Sequence, residues 1–391
     1  MVRRETLCRR TAPVCGKRRN FAVKSVIKLL NTMFWKVVWT VVAIAVAAVA
    51  VLAAMVVPAL GRAPRGERLE RIMRSKHWRE GQFRNLTETT VGGSAKGPSK
   101  TVWKFLTMDK PRDRRPDAPV EAVRTDLNAI DRTKDQMVWF GHSSYLLVIG
   151  GRTFLVDPVL APTFPFTLVM RPFEGTDIYS PDDLPAVDFL IITHDHYDHL
   201  DYRTVTSIRE RVGHVFCPLG VGEHLEYWGY DARKITEMDW NESAAIDVRL
   251  SARNRITCLP SRHFSGRALS RNNTLWASFM VEWGGRTVFI GGDGGYDSHF
   301  ADIGRRFPCI DLAVMENGQY NERWRQIHTL PTQLPRAIHD LGAKLVQPVH
   351  NSRFALALHP WDEPMRLIRE AARADTTIHL LGATIGAATE F

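Results

Sequence analysis

The sequence predicts an α/β fold, a duplicated β-rich sandwich with helices outside, preceded by one transmembrane helix. Three observations carry this. Gly-Gly-Arg-Thr followed by an apolar strand and an Asp occurs twice, ending at Asp157 and at Asp293, which suggests two similar half-domains. Apolar runs of strand length end repeatedly in a His or an Asp. Val37 to Gly61 carries no charge and is rich in Val, Ala, Ile and Leu.

Residues 1–36 are basic and offer no core. The span 37–61 is then long enough, at about 1.5 Å per residue, to cross a hydrocarbon layer of about 30 Å. A signal peptide would have an apolar region of only about 7 to 15 residues and a small-residue cleavage site, so a single-pass anchor is the reading. Basic residues flank both ends, and their count leans toward a cytoplasmic N-terminus and a catalytic domain on the non-cytoplasmic side. Residues 62–135 are polar and broken by Gly and Pro, as in a linker or extended arm, with Trp78, Phe83, Trp103 and Phe105 available to dock on the main domain. The main domain is expected over 136–391. Its first hairpin is Ser144 to Ile149, Gly150-Gly151, and Arg152 to Val156. The second is Phe279 to Trp283, Gly284-Gly285, and Arg286 to Ile290.

Thr193 to Asp201 holds the densest chemistry. His194, Asp195, His196, Asp198 and His199 follow the strand-like run Ala186 to Ile192 and precede a helical pattern from Tyr202 to Val212. Imidazole and carboxylate suit zinc, iron or manganese, and so many donors on one turn point to two metals rather than one. The same strand-end rule brings in His263, Asp293 and His350. Cysteines 8, 15, 217, 258 and 309 form no Cys-x-x-Cys and no disulfide framework. The charge of +10 is local: residues 1–80 hold 17 Lys+Arg against 4 acids, which leaves 35 against 38 for the rest. The metal-bearing domain has no basic track for a nucleic acid, so none is expected as partner.

His194 to His199 reads His-x-His-x-Asp-His. With Trp139-Phe140-Gly141-His142, Leu155-Val156-Asp157-Pro158 and Gly292-Asp293-Gly294-Gly295-Tyr296, the chain resembles the metallo-β-lactamase superfamily. Within it the phrasing is most similar to the branch of the N-acyl-phosphatidylethanolamine-hydrolysing phospholipase D and its bacterial relatives. The resemblance implies an αβ/βα sandwich and two zinc ions. It implies that His194, His196 and His263 hold one ion, that Asp198, His199 and His350 hold the other, and that Asp293 bridges them. It also places His328 near the substrate headgroup. Asn351-Ser352-Arg353 and Glu316-Asn317-Gly318-Gln319-Tyr320 depart from the branch near the expected pocket.

Two ions of this kind would lower the pKa of a bridging water for attack on an ester, with no nucleophilic Ser or Cys. Asp157 is a candidate to fix a ligand histidine's tautomer, His142 lies near the site by motif, and Asp195 is expected to orient water rather than bind metal. The expected substrate is a phosphodiester, best a membrane phospholipid, with the apolar loop Phe164, Phe166, Leu168, Val169 and Phe173 able either to receive acyl chains or to join the core. A lactone or small-ester hydrolase, and a membrane-anchored metal-binding regulatory protein with negligible turnover, are the alternatives.

Overall fold

The computed structural model describes residues 15–91, 111–246, 254–268 and 270–391. It divides into two units, Met1–Val57 and Pro58–Phe391. In the first, helix α1 runs Cys15–Val56. It starts well before Val37, because Lys24, Lys28 and Lys36 are good helix formers whose charge does not interrupt the backbone ladder. Past its end stand Pro58, which lacks an N–H, and Gly61 at φ +68°. Val23–Leu60 is long and apolar enough to cross a membrane.

The strands of the second unit's two main sheets are β1 Gln136–Trp139, β2 Tyr145–Ile149, β3 Arg152–Val156, β4 Val187–Ile191, β5 Val212–Pro218, β6 Ile235–Met238, β7 Ser243–Ala245, β8 Arg255–Leu259, β9 Ser278–Trp283, β10 Arg286–Ile290, β11 Leu312–Glu316, β12 Leu345–Val349 and β13 Ala388–Glu390. The larger sheet has seven strands in the order β13-β1-β2-β3-β4-β5-β6; the other has six, ordered β12-β11-β10-β9-β8-β7. In each, an antiparallel hairpin leads into parallel strands: β2–β3 into β4 to β6, and β9–β10 into β11 and β12. The repeat read in the sequence is therefore a repeat of topology.

Helices α2 Gly66–Met73, α3 Tyr202–Ile208, α4 Gly222–Tyr227, α5 His299–Arg306, α6 Leu334–Leu341 and α7 Glu363–Ala374 complete the unit. The helical pattern expected to reach Val212 stops at Ile208, and Val212 opens β5 instead. Alternate residues of one strand face opposite layers. Tyr145, Leu147 and Ile149 enter the cluster between the sheets with Phe279, Val281 and Val288. Leu146 faces the other way, with Leu155 and Leu190, toward Val205, Ile208 and Leu225 of α3 and α4. On the far side Met280, Phe289 and Ala313 meet Ile303, Ile338 and Ile368 of α5, α6 and α7. The result is an αβ/βα sandwich.

The two repeated turns meet each other. Gly150 and Gly284 have φ of +49° and +59°. A β-carbon on Gly150 would lie 2.9 Å from the Gly284 Cα, and one on Gly284 would lie 2.8 Å from the Gly150 Cα. Asp135 ties the halves at the same place, accepting from Gly150 N at 2.8 Å and from Arg286 Nε at 2.7 Å. The strands' other ends, where Asp157 and Asp293 follow, form the opposite edge.

Where it is described, the stretch expected as an arm packs closely. Ile72 and Phe83 are fully buried in the central cluster with Trp78 against it, Phe83 N donates to Asn272 O at 2.9 Å, and Arg68 pairs with Glu223, Glu226 and Glu237. Trp103 and Phe105 lie outside the described residues. Ahead of α2, Pro58 O accepts from Trp228 Nε1 at 2.8 Å and Ala59 O from Arg267 Nε at 3.0 Å. A chain beginning at Pro58 is expected to fold. One beginning at Arg62 loses both acceptors and leaves two buried donors unpaired, at about 1 to 3 kcal/mol each. Melting curves of the two truncations check this; equal stability would show that Pro58 to Gly61 is dispensable.

Candidate metal centre

Strand ends on one edge of the sandwich deliver every residue of the proposed ligand set. His194 to His199 follow β4, Asp157 follows β3, His263 follows β8, Asp293 follows β10 and His350 follows β12. Ligating atoms of His194, His196 and His263 lie within 4.8 Å of one another, and so do those of His142, Asp198, His199 and His350. Asp293 stands between the groups. Its Oδ2 is 3.2 Å from His199 Nε2, 3.8 Å from His263 Nε2 and 4.0 Å from His194 Nε2, and its Oδ1 is 3.2 Å from His350 Nδ1. The backbone is strained here. His142, Asp157 and His350 adopt φ of +51°, +41° and +67°, a region that costs a non-glycine residue about 1 to 2 kcal/mol.

Hydrogen bonds at Nδ1 set the orientation of three rings. Asp157 Oδ2 accepts from His199 Nδ1 at 2.8 Å, so His199 turns Nε2 inward. Asp157 also accepts from Thr193 N at 2.8 Å and from Thr193 Oγ1 at 2.6 Å. With its proton spent there, Thr193 Oγ1 must accept from His194 Nδ1 at 3.0 Å, which bares His194 Nε2. His263 Nδ1 donates to Ile327 O at 2.7 Å and bares Nε2 in the same way. His194 Nε2 and His263 Nε2 then converge on His196 Nδ1 at 2.9 and 3.3 Å.

This donor set fits divalent cations. Burial, reinforced by neighbouring imidazoles, holds His194, His263 and His350 well below the usual histidine range, and burial lowers His196 to about 4, so these rings are neutral and able to ligate. His199 goes the other way: burial opposes a charge on it, but the Asp293 and Asp198 carboxylates prevail and raise it well above the usual range. A field that holds a proton there also favours a cation. His199 Nε2 and Asp293 Oδ1 are buried without a hydrogen-bond partner among the described residues. Asp157→Asn, which keeps the shape but removes the charge behind His199, is expected to weaken metal binding about 10- to 100-fold. Metal titration checks it, and an unchanged affinity would make Asp157 a strand-end cap only.

The remaining residues divide between the site and its frame. His142 Nε2 donates to Asp198 Oδ2 at 3.0 Å, and its ring lies 4.1 Å from that of His350. Asp195 faces away from the ligands: it accepts from Gly266 N and Thr274 Oγ1, both at 2.8 Å, and so holds the loop instead of orienting water. The Asn351-Ser352-Arg353 departure also belongs to the frame. Asn351 Nδ2 donates to Asn317 O and Val349 O, and Arg353 is buried with Nη2 donating to Asp177 at 2.8 Å. His328 does enter the site, its ring 5.1 Å from His263 and its Nδ1 bonded to Glu316. Glu316 stands out in the sequence only as a departure, yet it closes β11 as Asp293 and His350 follow β10 and β12, so the strand-end rule could have found it.

A groove of about 320 Å³ opens over His196, Asp198, Asp293 and His350, walled by Val91, Phe264, Trp324, Ile327 and Leu356. Leu356 packs with Phe166 and Tyr197 on a small cluster of Val159, Met170 and Phe354. The apolar loop is thus divided: Phe173 is core, Phe166 stacks on Tyr197 beside the ligands, and Leu168 and Val169 are exposed.

Comparison with known proteins gives the chain's family and fold relatives. A family model described as a beta-lactamase superfamily domain matches residues 152–351. The chain is 37% identical over 310 residues to an uncharacterized protein of Mycobacterium tuberculosis (strain ATCC 25618 / H37Rv), covering 77% of this chain and 81% of that one. It is 35% identical over 199 residues to the N-acyl-phosphatidylethanolamine-hydrolyzing phospholipase D 1 of Caenorhabditis elegans, over 48% of this chain and 54% of that one. Among solved structures, the isothiocyanate hydrolase from Delia radicum gut bacteria aligns with a TM-score of 0.50 at 17% identity, over 66% of this chain and 99% of that one.

Proposed function

The chain belongs to the metallo-β-lactamase superfamily as a metal-dependent hydrolase of that fold, and from this premise we propose that it is a binuclear zinc phosphodiesterase of the phospholipase D type, acting on N-acyl-phosphatidylethanolamine-like lipids. The observation that carries the reading is the groove, where an apolar wall meets two groups of metal-competent side chains, one of imidazoles and one of imidazoles with Asp198, on either side of the Asp293 carboxylate. His194, His196 and His263 would hold one ion, Asp198, His199 and His350 the other, with Asp293 reaching both. Bound there, the ions would supply Lewis acidity and a water of lowered pKa.

The chain's own residues supply the rest. Asp157 keeps His199, and through Thr193 also His194, in the ligating tautomer. His328, steadied by Glu316, faces the groove as a polar contact for the headgroup or leaving oxygen. Leu356, Phe264 and Trp324 offer apolar surface to acyl chains, and the likeness to the Caenorhabditis elegans phospholipase D supports a lipid phosphodiester. The candidate span supports a membrane substrate, with a single pass and the hydrolase domain on the non-cytoplasmic side as part of the same proposal.

The test uses the full chain in detergent after metal analysis, offered N-acyl-phosphatidylethanolamine in mixed micelles, a soluble phosphodiester and a panel of lactones. Release of N-acylethanolamine and phosphatidate is expected. Turnover of lactones with no phosphodiester cleavage would replace the substrate, and metal content with no turnover of any of them would replace the enzyme with a binding protein.

A further inference from the structure

Away from the ligands, a chain of hydrogen bonds joins the metal loop to the stretch beyond α1. Asp195 lies between His194 and His196 in sequence but turns its carboxylate outward, where Oδ2 accepts from His224 Nε2 at 3.4 Å. The other ring nitrogen, His224 Nδ1, accepts from the backbone N–H of Arg62 at 3.0 Å. That bond fixes the tautomer, since a nitrogen that accepts there leaves the proton on the side facing Asp195.

A second route runs beside the first. Arg267 Nη1 donates to Asp195 O and to Leu200 O, both at 2.8 Å, and its Nε donates to Ala59 O at 3.0 Å. The guanidinium is buried, 4.2 Å from the ring of Tyr197 and 5.0 Å from that of Trp228, whose Nε1 reaches Pro58 O. One planar fork therefore holds both ends of the metal loop and the residues just beyond the apolar helix. Arginine suits this, because its donors are fixed in one plane. Contact at Gly61 is just as close: φ is +68°, and a β-carbon would lie 2.2 Å from His224 Nδ1.

We infer that Pro58 to Arg62 is a positioning element of the metal loop, acting through Arg267 and the His224–Asp195 pair. The inference rests on the ligand set proposed above. A binuclear centre needs its ligand backbone held to within about half an ångström, and here that hold is shared with Pro58, Ala59 and Arg62. None of these groups touches a ligating atom; they act through the shape of the loop.

The test uses the full chain in detergent with cobalt as the probe, read by dissociation constants from chelator competition and by the visible spectrum. Gly61→Ala is expected to weaken cobalt binding about tenfold and to alter the spectrum, although the atoms nearest the new methyl group all belong to His224. Arg267→Met is expected to weaken it about 10- to 100-fold. Arg267→Lys, which keeps the charge but not the fork, should fall between the parent and Arg267→Met. If Gly61→Ala and Arg267→Met melt lower yet keep the parent's cobalt constants and spectrum, the stretch is scaffold and the inference fails. Should Arg267→Met not fold, Gly61→Ala alone decides. A parent chain that binds no cobalt would overturn the ligand set itself, and the inference with it.

Discussion

Asp293→Asn is expected to lower hydrolysis about 10³-fold and to weaken both metals together. The carboxylate is buried between the two ligand groups, 3.2 Å from nitrogens of His199 and of His350. At an effective dielectric constant near 20, a unit charge about 4 Å from another is worth roughly 4 kcal/mol, which is about three decades of affinity. The amide keeps the size and one acceptor oxygen but not the charge. His263→Ala, by contrast, should weaken mainly the ion shared with His194 and His196, and His350→Ala mainly the other. Metal bound only by the folded state adds stability by mass action, so all three variants should melt below the parent in excess metal and approach it when metal is withheld. Elemental analysis with activity decides; an Asp293→Asn protein with two tightly held metals and the full rate would remove Asp293 from the bridging position.

Gly284→Ala is expected to destabilise the fold strongly although it touches no ligand. Its β-carbon would lie 2.8 Å from the backbone of Gly150, and φ of +59° is unfavourable for alanine. Overpacking costs about 1 to 3 kcal/mol and the left-handed backbone about 1 to 2 kcal/mol more. A loss of about 3 kcal/mol should appear as a lower melting temperature. Gly285→Ala is the comparison: φ is +86° but nothing lies within 4 Å of its β-carbon, so it should lose only the backbone part. Equal losses at both positions would show that the turns do not press on each other.

The candidate centre is legible in the sequence because its proposed ligands fall either in one six-residue motif or just after apolar strands, and both patterns are local. The paired hairpins are legible for the same reason. What stays hidden depends on residues far apart in the chain. Phe83 stands alone between Gln82 and Arg84, and Ile72 belongs to the brief helical run Leu69, Ile72 and Met73 among charges, too short a pattern to reveal that both enter the central cluster. Arg267 and His224 carry no motif, and their use appears only when Ala59 and Arg62 come to lie against them. Asn351 to Arg353 resemble pocket residues because they come directly after a ligand, but the chain turns after His350 and directs them into the frame.

The halves that meet at Gly150 and Gly284 also divide the ligands. The seven-stranded sheet presents His194, His196, Asp198 and His199, and the six-stranded sheet presents His263, Asp293 and His350. On the proposed ligand set, each ion takes two groups from the earlier half and at least one from the later. A chain emerging from the ribosome would display the first four donors well before the last three exist. The early half alone therefore offers any passing cation an incomplete and permissive site, and discrimination among metals waits for the two sheets to dock. On that ligand set, metal choice would belong to the closing step of folding, when the later strands complete the site.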